Sequence, residues 1–378
     1  MLKPPDRLLL GSGPSPVPQR VLDALAQPTV GHLDPLFGEV IEETASLLRT
    51  VFGTDNAATL PISGTGSAGM DAMVANFVEP GDRVVCGVCG LFGERMADEL
   101  ARNGADVVRV EAEWGRAIDP SSLVAAVDDS TAALFVVHGE TSTGVCQPLD
   151  GLGEACRAHD ALFLLDCVTS LAGQRLVLDE ALVDAAFSGT QKCLNCPPGL
   201  APFTAGDRAL EKLHARSSPV RSWYFDLSLV LGYWDGDGGR AYHHTAPINM
   251  VYALLEALRI VDEEGLVARW ERHAAAHDRL VRALAVLGCE RLAPEGEHLN
   301  PLLAVTPPDG TDVDGVRKRL LADHGIEIAA GAGPLAGRIW RIGVMGAGAE
   351  PEPQERLVRA LAAEMGTDPH DALEALRG

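Results

Sequence analysis

Positive charge is scarce in this 378-residue chain. Lysine and arginine total 31 against 53 aspartates and glutamates, a formal net charge of −22. That balance excludes the basic patches on which non-specific nucleic-acid binding depends, and it is a poor match for an anionic membrane surface. An anionic substrate must therefore be caught by local positive groups against the average field. Long apolar runs are also missing, so no membrane-spanning helix is expected. The first ten residues, Met1 to Leu10, carry an apolar run of only three residues before Gly11 and do not read as a signal peptide. A cytoplasmic location is the default expectation.

What is present is ordinary for a globular protein: 47% apolar and 22% charged residues, over a length that suggests two domains with a sizeable core. Eight cysteines include the pairs Cys86-x-x-Cys89 and Cys193-x-x-Cys196. Paired cysteines invite a zinc reading, and a non-enzymatic zinc module is the rival class it would create. The two pairs lie much farther apart than in a zinc ribbon, and several cysteines sit in strand-like surroundings. Small buried side chains in a reducing compartment are the reading preferred here, with no metal site expected.

Between residues 50 and 190, strand-length apolar runs alternate with helical stretches. The strand candidates are Ala58–Ile62, Arg83–Val88, Asp106–Val110, Ala132–Val137, Ala161–Leu165 and Val183–Phe187. Helices are expected over Ser67–Phe77, Phe92–Asn103, Pro120–Val127 and Leu149–Ala158. This rhythm predicts an α/β fold with a mainly parallel sheet, whose ligands bind beyond the carboxyl ends of the strands. A long helical stretch, Ile248–Leu287 with a break near Gly265, leads into a smaller α+β unit. Its strands are expected at Leu302–Thr306, Ile326–Ala330 and Ile339–Val344, its helices at Val313–His324 and Gln354–Met365. The tail from Asp368 has weak helical character and is expected to fray.

Several segments carry chemistry. Lys192, in Ser188-Gly189-Thr190-Gln191-Lys192, is one of only four lysines; the others are Lys3, Lys212 and Lys318. Lys3 is terminal, and Lys212 and Lys318 read as solvated charges on amphipathic helices. Asp166 ends an apolar strand upstream of Lys192. A lysine amine that can join a cofactor aldehyde, with a carboxylate that keeps a pyridine nitrogen protonated, is what pyridoxal phosphate chemistry needs. The bland readings are a solvated loop lysine and a helix-capping aspartate. Ser63-Gly64-Thr65-Gly66-Ser67-Ala68-Gly69, between a strand and a helix, suits a phosphate. It also matches G-x-G-x-x-G, which makes a nicotinamide-dependent oxidoreductase a rival. The next strand, however, ends in Gly87-Val88-Cys89-Gly90 without the carboxylate a dinucleotide ribose requires. Tyr242-His243-His244-Thr245 offers phosphate-contacting hydroxyls; its adjacent histidines would point apart and are a poor metal pair. Arg341 lies in an apolar strand and needs a partner there, either an internal carboxylate or that of a substrate.

Taken in order, these segments resemble the class V aminotransferases of the fold-type I pyridoxal phosphate superfamily, in particular the alanine–glyoxylate and serine–pyruvate group. The likeness runs over roughly residues 8–365. It also rests on Leu10-Gly11-Ser12-Gly13-Pro14-Ser15, His138-Gly139-Glu140-Thr141-Ser142-Thr143-Gly144, Pro197-Pro198-Gly199 and Arg341-Ile342-Gly343. The resemblance implies an N-terminal arm (1–20), a large cofactor-binding domain with a seven-stranded sheet (21–265) and a small C-terminal domain (266–378). It implies Lys192 as the cofactor-bearing lysine and proton carrier, and Asp166 as the partner of the pyridine nitrogen. Thr65, Gly66, Ser67 and Gln191 would surround the phosphate, and Phe92 and Val168 would flank the ring. Thr141 would contact the cofactor and Arg341 the substrate carboxylate, with Gly13 and His32 near the substrate. Tyr242 and Thr245 would reach the phosphate of a neighbouring subunit, which implies a homodimer with shared sites. Ser67 stands where similar proteins have histidine. The implied reaction is transamination between alanine or serine and glyoxylate or pyruvate. Alternatives are another donor such as ureidoglycine, or a lyase or decarboxylase on the same fold. A cysteine desulfurase would need a cysteine nearer the C-terminus than Cys289.

Overall fold

A computed structural model describes residues 3–234 and 241–378. Seven strands form the main sheet: β1 (Ala58–Ser63), β2 (Arg83–Val88), β3 (Asp106–Glu111), β4 (Thr131–Val137), β5 (Leu162–Asp166), β6 (Ala185–Phe187) and β7 (Leu200–Ala205). Their spatial order is β1-β7-β6-β5-β4-β2-β3. All neighbouring pairs are parallel except those of β7, which runs antiparallel to both β1 and β6. Strands β5 and β6 are buried along their whole length and β4 everywhere except half-buried Ala132, as suits strands covered by helices on both faces. Strand β3 lies at the edge, and its charged and partly exposed side chains suit that position.

The six expected strands are all present, with ends shifted by two residues or fewer. Strand β7 was not among the expected strands, and Pro202 is unusual within a central strand. The register resolves the conflict. Pro202 pairs with Pro61 of β1 without a hydrogen bond between them, and on its other side it faces Ser188, just past the end of β6, so its missing N–H breaks no bond within the paired length of β6.

Among the helices, α1 (Pro35–Phe52), α2 (Gly66–Phe77) and α3 (Leu91–Asn103) pack around the sheet, followed by α4 (Ile248–Glu264) and α5 (Leu266–Val286). Gly265, at φ +80, separates α4 from α5 where the break was expected. Gly69 of α2 lies so close to the sheet that a Cβ would stand 3.0 Å from Phe187 and 3.1 Å from Ala201. A bare backbone there lets α2 seat its N-terminus against the sheet end.

A four-stranded antiparallel sheet follows: β8 (Glu290–Arg291), β9 (Leu302–Thr306), β10 (Ala329–Ala330) and β11 (Trp340–Gly343), in the order β8-β9-β11-β10. It has its own apolar core with α5, α6 (Val313–His324) and α7 (Pro351–Glu364). The single strand expected at Ile326–Ala330 is two pieces. Ile326–Glu327 pairs in parallel with Leu8–Leu9, whereas Ala329–Ala330 pairs with β11. The N-terminal segment thereby adheres to the C-terminal unit. The tail forms a helix, His370–Arg377, that buries Ala372, Leu373 and Leu376, so its one apolar face is enough to dock it. No helix among the described residues is long and apolar enough to cross a membrane.

Candidate active site

The parallel strands β1, β2, β4 and β5, and the turn after β6, send their C-terminal continuations to one end of the sheet. There Gly66, Ser67, Phe92, Asp166, Val168, Gln191 and Lys192 line one cavity of about 200 Å³. All seven were singled out from sequence. Met70, Arg95 and Phe187 complete the lining and were not.

Lys192 is buried, with 7% of its surface exposed. Its Nζ donates to the carbonyl of Ser12, and Gly13 packs against the amine closely enough that a Cβ would stand 3.0 Å from Nζ. Burial lowers the amine from its usual range to about 8. The lysine backbone is held as well: Ser15 Oγ donates to the Lys192 carbonyl at 2.6 Å, and Ser15 N–H to that of Gln191 at 2.9 Å. Asp166 sits at the end of β5, in register with Val137 and Phe187. Its Oδ1 accepts from Val168 N–H at 2.8 Å, so it does tie down the next turn as a capping aspartate would. It is also fully enclosed beside the cavity, and burial pushes its carboxyl up to about 7. A cation placed in the cavity would restore the charged form.

At the opposite wall, Thr65 is the N-cap of α2, and its hydroxyl makes no capping bond. The first N–H groups of a helix have no intrahelical acceptor. With the exposed hydroxyls of Thr65 and Ser67 they form a ready anion seat. Gln191 keeps its side-chain oxygen buried without a hydrogen-bond partner, an amide not committed to the fold. A phosphate at the α2 terminus, an aldehyde near Lys192 and a ring nitrogen near Asp166 thus match the residues present. The fit rests on the uncommitted Gln191 amide, the bare α2 terminus and the cavity between a buried amine and a buried carboxyl.

Thr141 lies just behind, its hydroxyl bonded to that of Thr169 and its carbonyl accepting from Arg341 Nη1 at 3.2 Å. Arg341 Nε also donates to the Ala330 carbonyl at 2.7 Å. No carboxylate among the described residues forms an ion pair with it. Burial lowers its basicity while Glu140 supports its charge. The internal-partner reading of Arg341 is therefore not met.

Tyr242, Thr245 and His32 do not reach this cavity. Tyr242 is 62% exposed, and its ring packs 5.1 Å from that of His32; Thr245 is exposed too. The neighbouring His244 bonds Ser63 Oγ at 2.7 Å, immediately before the phosphate seat, a contact that sequence did not reveal. Lys212 needs a correction. It is partly buried: its ammonium donates to the Ala132 carbonyl at 3.1 Å and lies 3.7 Å from Asp82. All eight cysteines are free, seven of them buried, which agrees with core packing. Neither C-x-x-C pair belongs to a metal-ligand cluster; among the described residues only exposed His370, Asp371 and Glu374 come close enough together. Glu94, the nearest carboxylate to a dinucleotide position, is engaged by Arg109 at 2.7 Å.

Two residues that sequence reasoning missed shape the site. Arg95 sits 4.9 Å over the Phe92 ring, one helical turn on along α3; the i, i+3 spacing was the available signal. Glu140, fully buried, accepts hydrogen bonds from the N-terminus of α3; nothing in its loop sequence announces burial.

The chain matches the aminotransferase class-V family over residues 7–338. It is 40% identical over 361 residues to the (S)-ureidoglycine–glyoxylate transaminase of Bacillus subtilis (strain 168), covering 90% of this chain and 86% of that protein. The alanine–glyoxylate aminotransferase of Oryctolagus cuniculus is 36% identical, with 94% and 92% covered. Among solved structures, the alanine–glyoxylate aminotransferase of Nostoc sp. superposes with a TM-score of 0.94 at 45% identity, covering 96% of both chains. The fold, the cavity with its lysine and aspartate, and these likenesses agree: the chain belongs to the class-V aminotransferases.

Proposed function

We propose that this protein transfers the amino group of a small L-amino acid to a 2-oxo acid, with pyridoxal phosphate held on Lys192. The carrying observation is that the buried Lys192 amine and the buried Asp166 carboxyl line the same cavity as the α2 terminus. When bound, pyridoxal phosphate supplies an electron sink for the charge left at the substrate α-carbon.

The protein's share follows from its own groups. Thr65, Gly66, Ser67 and Gln191 hold the phosphate at the helix terminus. Phe92 and Val168, both lining the cavity, would flank the ring. Asp166 keeps a proton on the ring nitrogen through a charge-assisted hydrogen bond. Lys192 Nζ takes the proton from the substrate α-carbon and carries it onward; an amine titrating at about 8 can do so near neutrality. Arg341, anchored by the Thr141 and Ala330 carbonyls, grips the substrate carboxylate. The burial around Lys192 keeps bulk water from competing for the proton.

Glyoxylate is the acceptor favoured by the names of the relatives. Alanine or serine and ureidoglycine are the donors to compare, the last favoured by the Bacillus relative. Exposed Tyr242 and Thr245 fit contacts to the phosphate of a second subunit, which supports a homodimer with shared sites. The separate apolar cores support a division near residue 265 into a large and a small domain, after an arm of about 20 residues. Eight free cysteines favour a reducing compartment such as the cytoplasm.

A panel of donors against glyoxylate and pyruvate tests this reading. The purified protein should show a visible cofactor band that each active donor bleaches and each active oxo acid restores. A colourless protein that gains no band with added pyridoxal phosphate would refute it. Release of sulfide or carbon dioxide without an acceptor would move it to a lyase or decarboxylase.

A further inference from the structure

Glu140 is a buried carboxylate that the mechanism above does not use. It follows β4 and has none of its surface exposed. Its Oε2 accepts from Phe92 N–H at 3.0 Å and Gly93 N–H at 3.3 Å. Its Oε1 accepts from Ser142 N–H at 3.0 Å and Ser142 Oγ at 2.6 Å. Ser142 Oγ in turn accepts from Leu91 N–H at 2.9 Å, which leaves its own proton for Glu140. Burial pushes this carboxyl above its usual range, while the donors from Ser142, Gly93 and Phe92 pull the other way and favour the ionised form. An amide would turn its NH₂ against N–H groups at one end. The site is also closed to larger neighbours, since a Cβ on Gly90 would stand 2.5 Å from Glu140 and Ser142.

The charge lies at the N-terminus of α3, where the helix dipole favours it. That terminus presents Phe92 to the cavity, with Arg95 a turn further on. The charged or titratable groups that feel Glu140 are Lys192, Asp166, Arg341 and Cys89. The next residue, Thr141, supplies the carbonyl that holds Arg341. One short loop thus joins the ring-facing helix to the substrate-facing arginine.

We propose that Glu140 is a positioning residue of the active site: its carboxylate clamps the start of α3, so that Phe92 meets the ring, and supplies the fixed negative charge that supports the cationic state of Lys192 and Arg341. This rests on the transaminase reading. It assigns Glu140 two separable roles, shape and charge.

The test is made on the holoenzyme, with cofactor affinity and the pH titration of the visible band of the lysine-bound cofactor as readouts. Glu140→Gln should weaken cofactor affinity about tenfold or more, through the mismatched donor. It should also move the titration midpoint down by about 0.5–1 pH unit, through the lost negative charge. Glu140→Asp keeps the charge but cannot reach Phe92 N–H, so affinity should fall while the midpoint stays near that of the wild type. Ser142→Ala, which loosens the carboxylate without removing it, should behave like Glu140→Asp. If Glu140→Gln does not fold, the other two variants carry the test, and wild-type affinity in both overturns the clamp. An unchanged midpoint in folded Glu140→Gln, or one shifted equally in Glu140→Asp, overturns the charge role. A wild-type protein without any visible band would instead sink the transaminase reading itself.

Discussion

Asp166→Asn should affect the cofactor-free and the cofactor-bound protein in opposite directions. In the cofactor-free protein, burial moves the Asp166 carboxyl from 3.8 to about 7. At 1.36 kcal/mol per unit, the charged form is penalised by about 4 kcal/mol. The folded state then holds a proton that the unfolded state has already released, so stability falls as pH rises between about 4 and 7. Asparagine has no charge to bury and can still accept from Val168 N–H. The variant should therefore match the wild type near pH 4 and be more stable by up to about 4 kcal/mol at pH 8, by chemical denaturation of the cofactor-free protein. With cofactor bound, the ring nitrogen loses its charged partner. Truncating one side of a buried charge pair costs about 2–5 kcal/mol, so turnover should fall by roughly 10²–10³-fold. A variant with wild-type turnover, or with no pH-dependent gain in stability, would refute the account of Asp166 as a carboxylate held in reserve for a cation.

Lys192→Ala should lose the visible band of the lysine-bound cofactor and at least about 10³-fold in turnover, since it removes both the attachment point and the proton carrier; a persisting band would contradict the assignment. Arg341→Lys should raise KM for the donor about 100-fold with a smaller change in kcat, because an ammonium cannot make the two parallel bonds of a guanidinium to a carboxylate. The single-turnover rate should rise with pH up to about 8 and then level, because Lys192 Nζ must be neutral to take a proton; a profile flat from pH 6 to 9 would exclude it as the base. Mixed dimers that pair a Lys192→Ala subunit with a Thr245→Ala/Tyr242→Phe subunit should regain activity above that of either parent, since one of the two sites then has all its parts. Equal inactivity would place Tyr242 and Thr245 outside the partner's site.

Legibility from sequence differed from residue to residue for physical reasons. The phosphate seat was readable because a glycine-rich turn between a strand and a helix is local chemistry. Asp166 was readable because it ends an apolar run. Strand β7 lay outside the expected strands; Pro202 is tolerated in it because its nitrogen side faces Ser188, just past the end of β6 at Phe187. Lys212 looked solvated because its charge pattern does not show its partners, the Ala132 carbonyl and Asp82, which lie 80 and 130 positions away. Glu140 looked like an ordinary loop carboxylate; the donors that bury it come from Phe92 and Gly93, 48 and 47 positions away.

By itself, the sequence determined the alternation of strands and helices, the singularity of Lys192 among four lysines, and the chemistry of each separate segment. These follow from periodicity, composition and turn stereochemistry, which act over a few residues. Only the tertiary structure decided that Gly13, Gly66, Phe92, Glu140, Asp166, Lys192 and Arg341 share one neighbourhood. Strand order in the sheet departs from chain order. That order is selected by burial and pairing between distant segments, a balance that no local window contains. The same long-range packing strips water from Lys192 and Asp166 and so moves both towards neutrality.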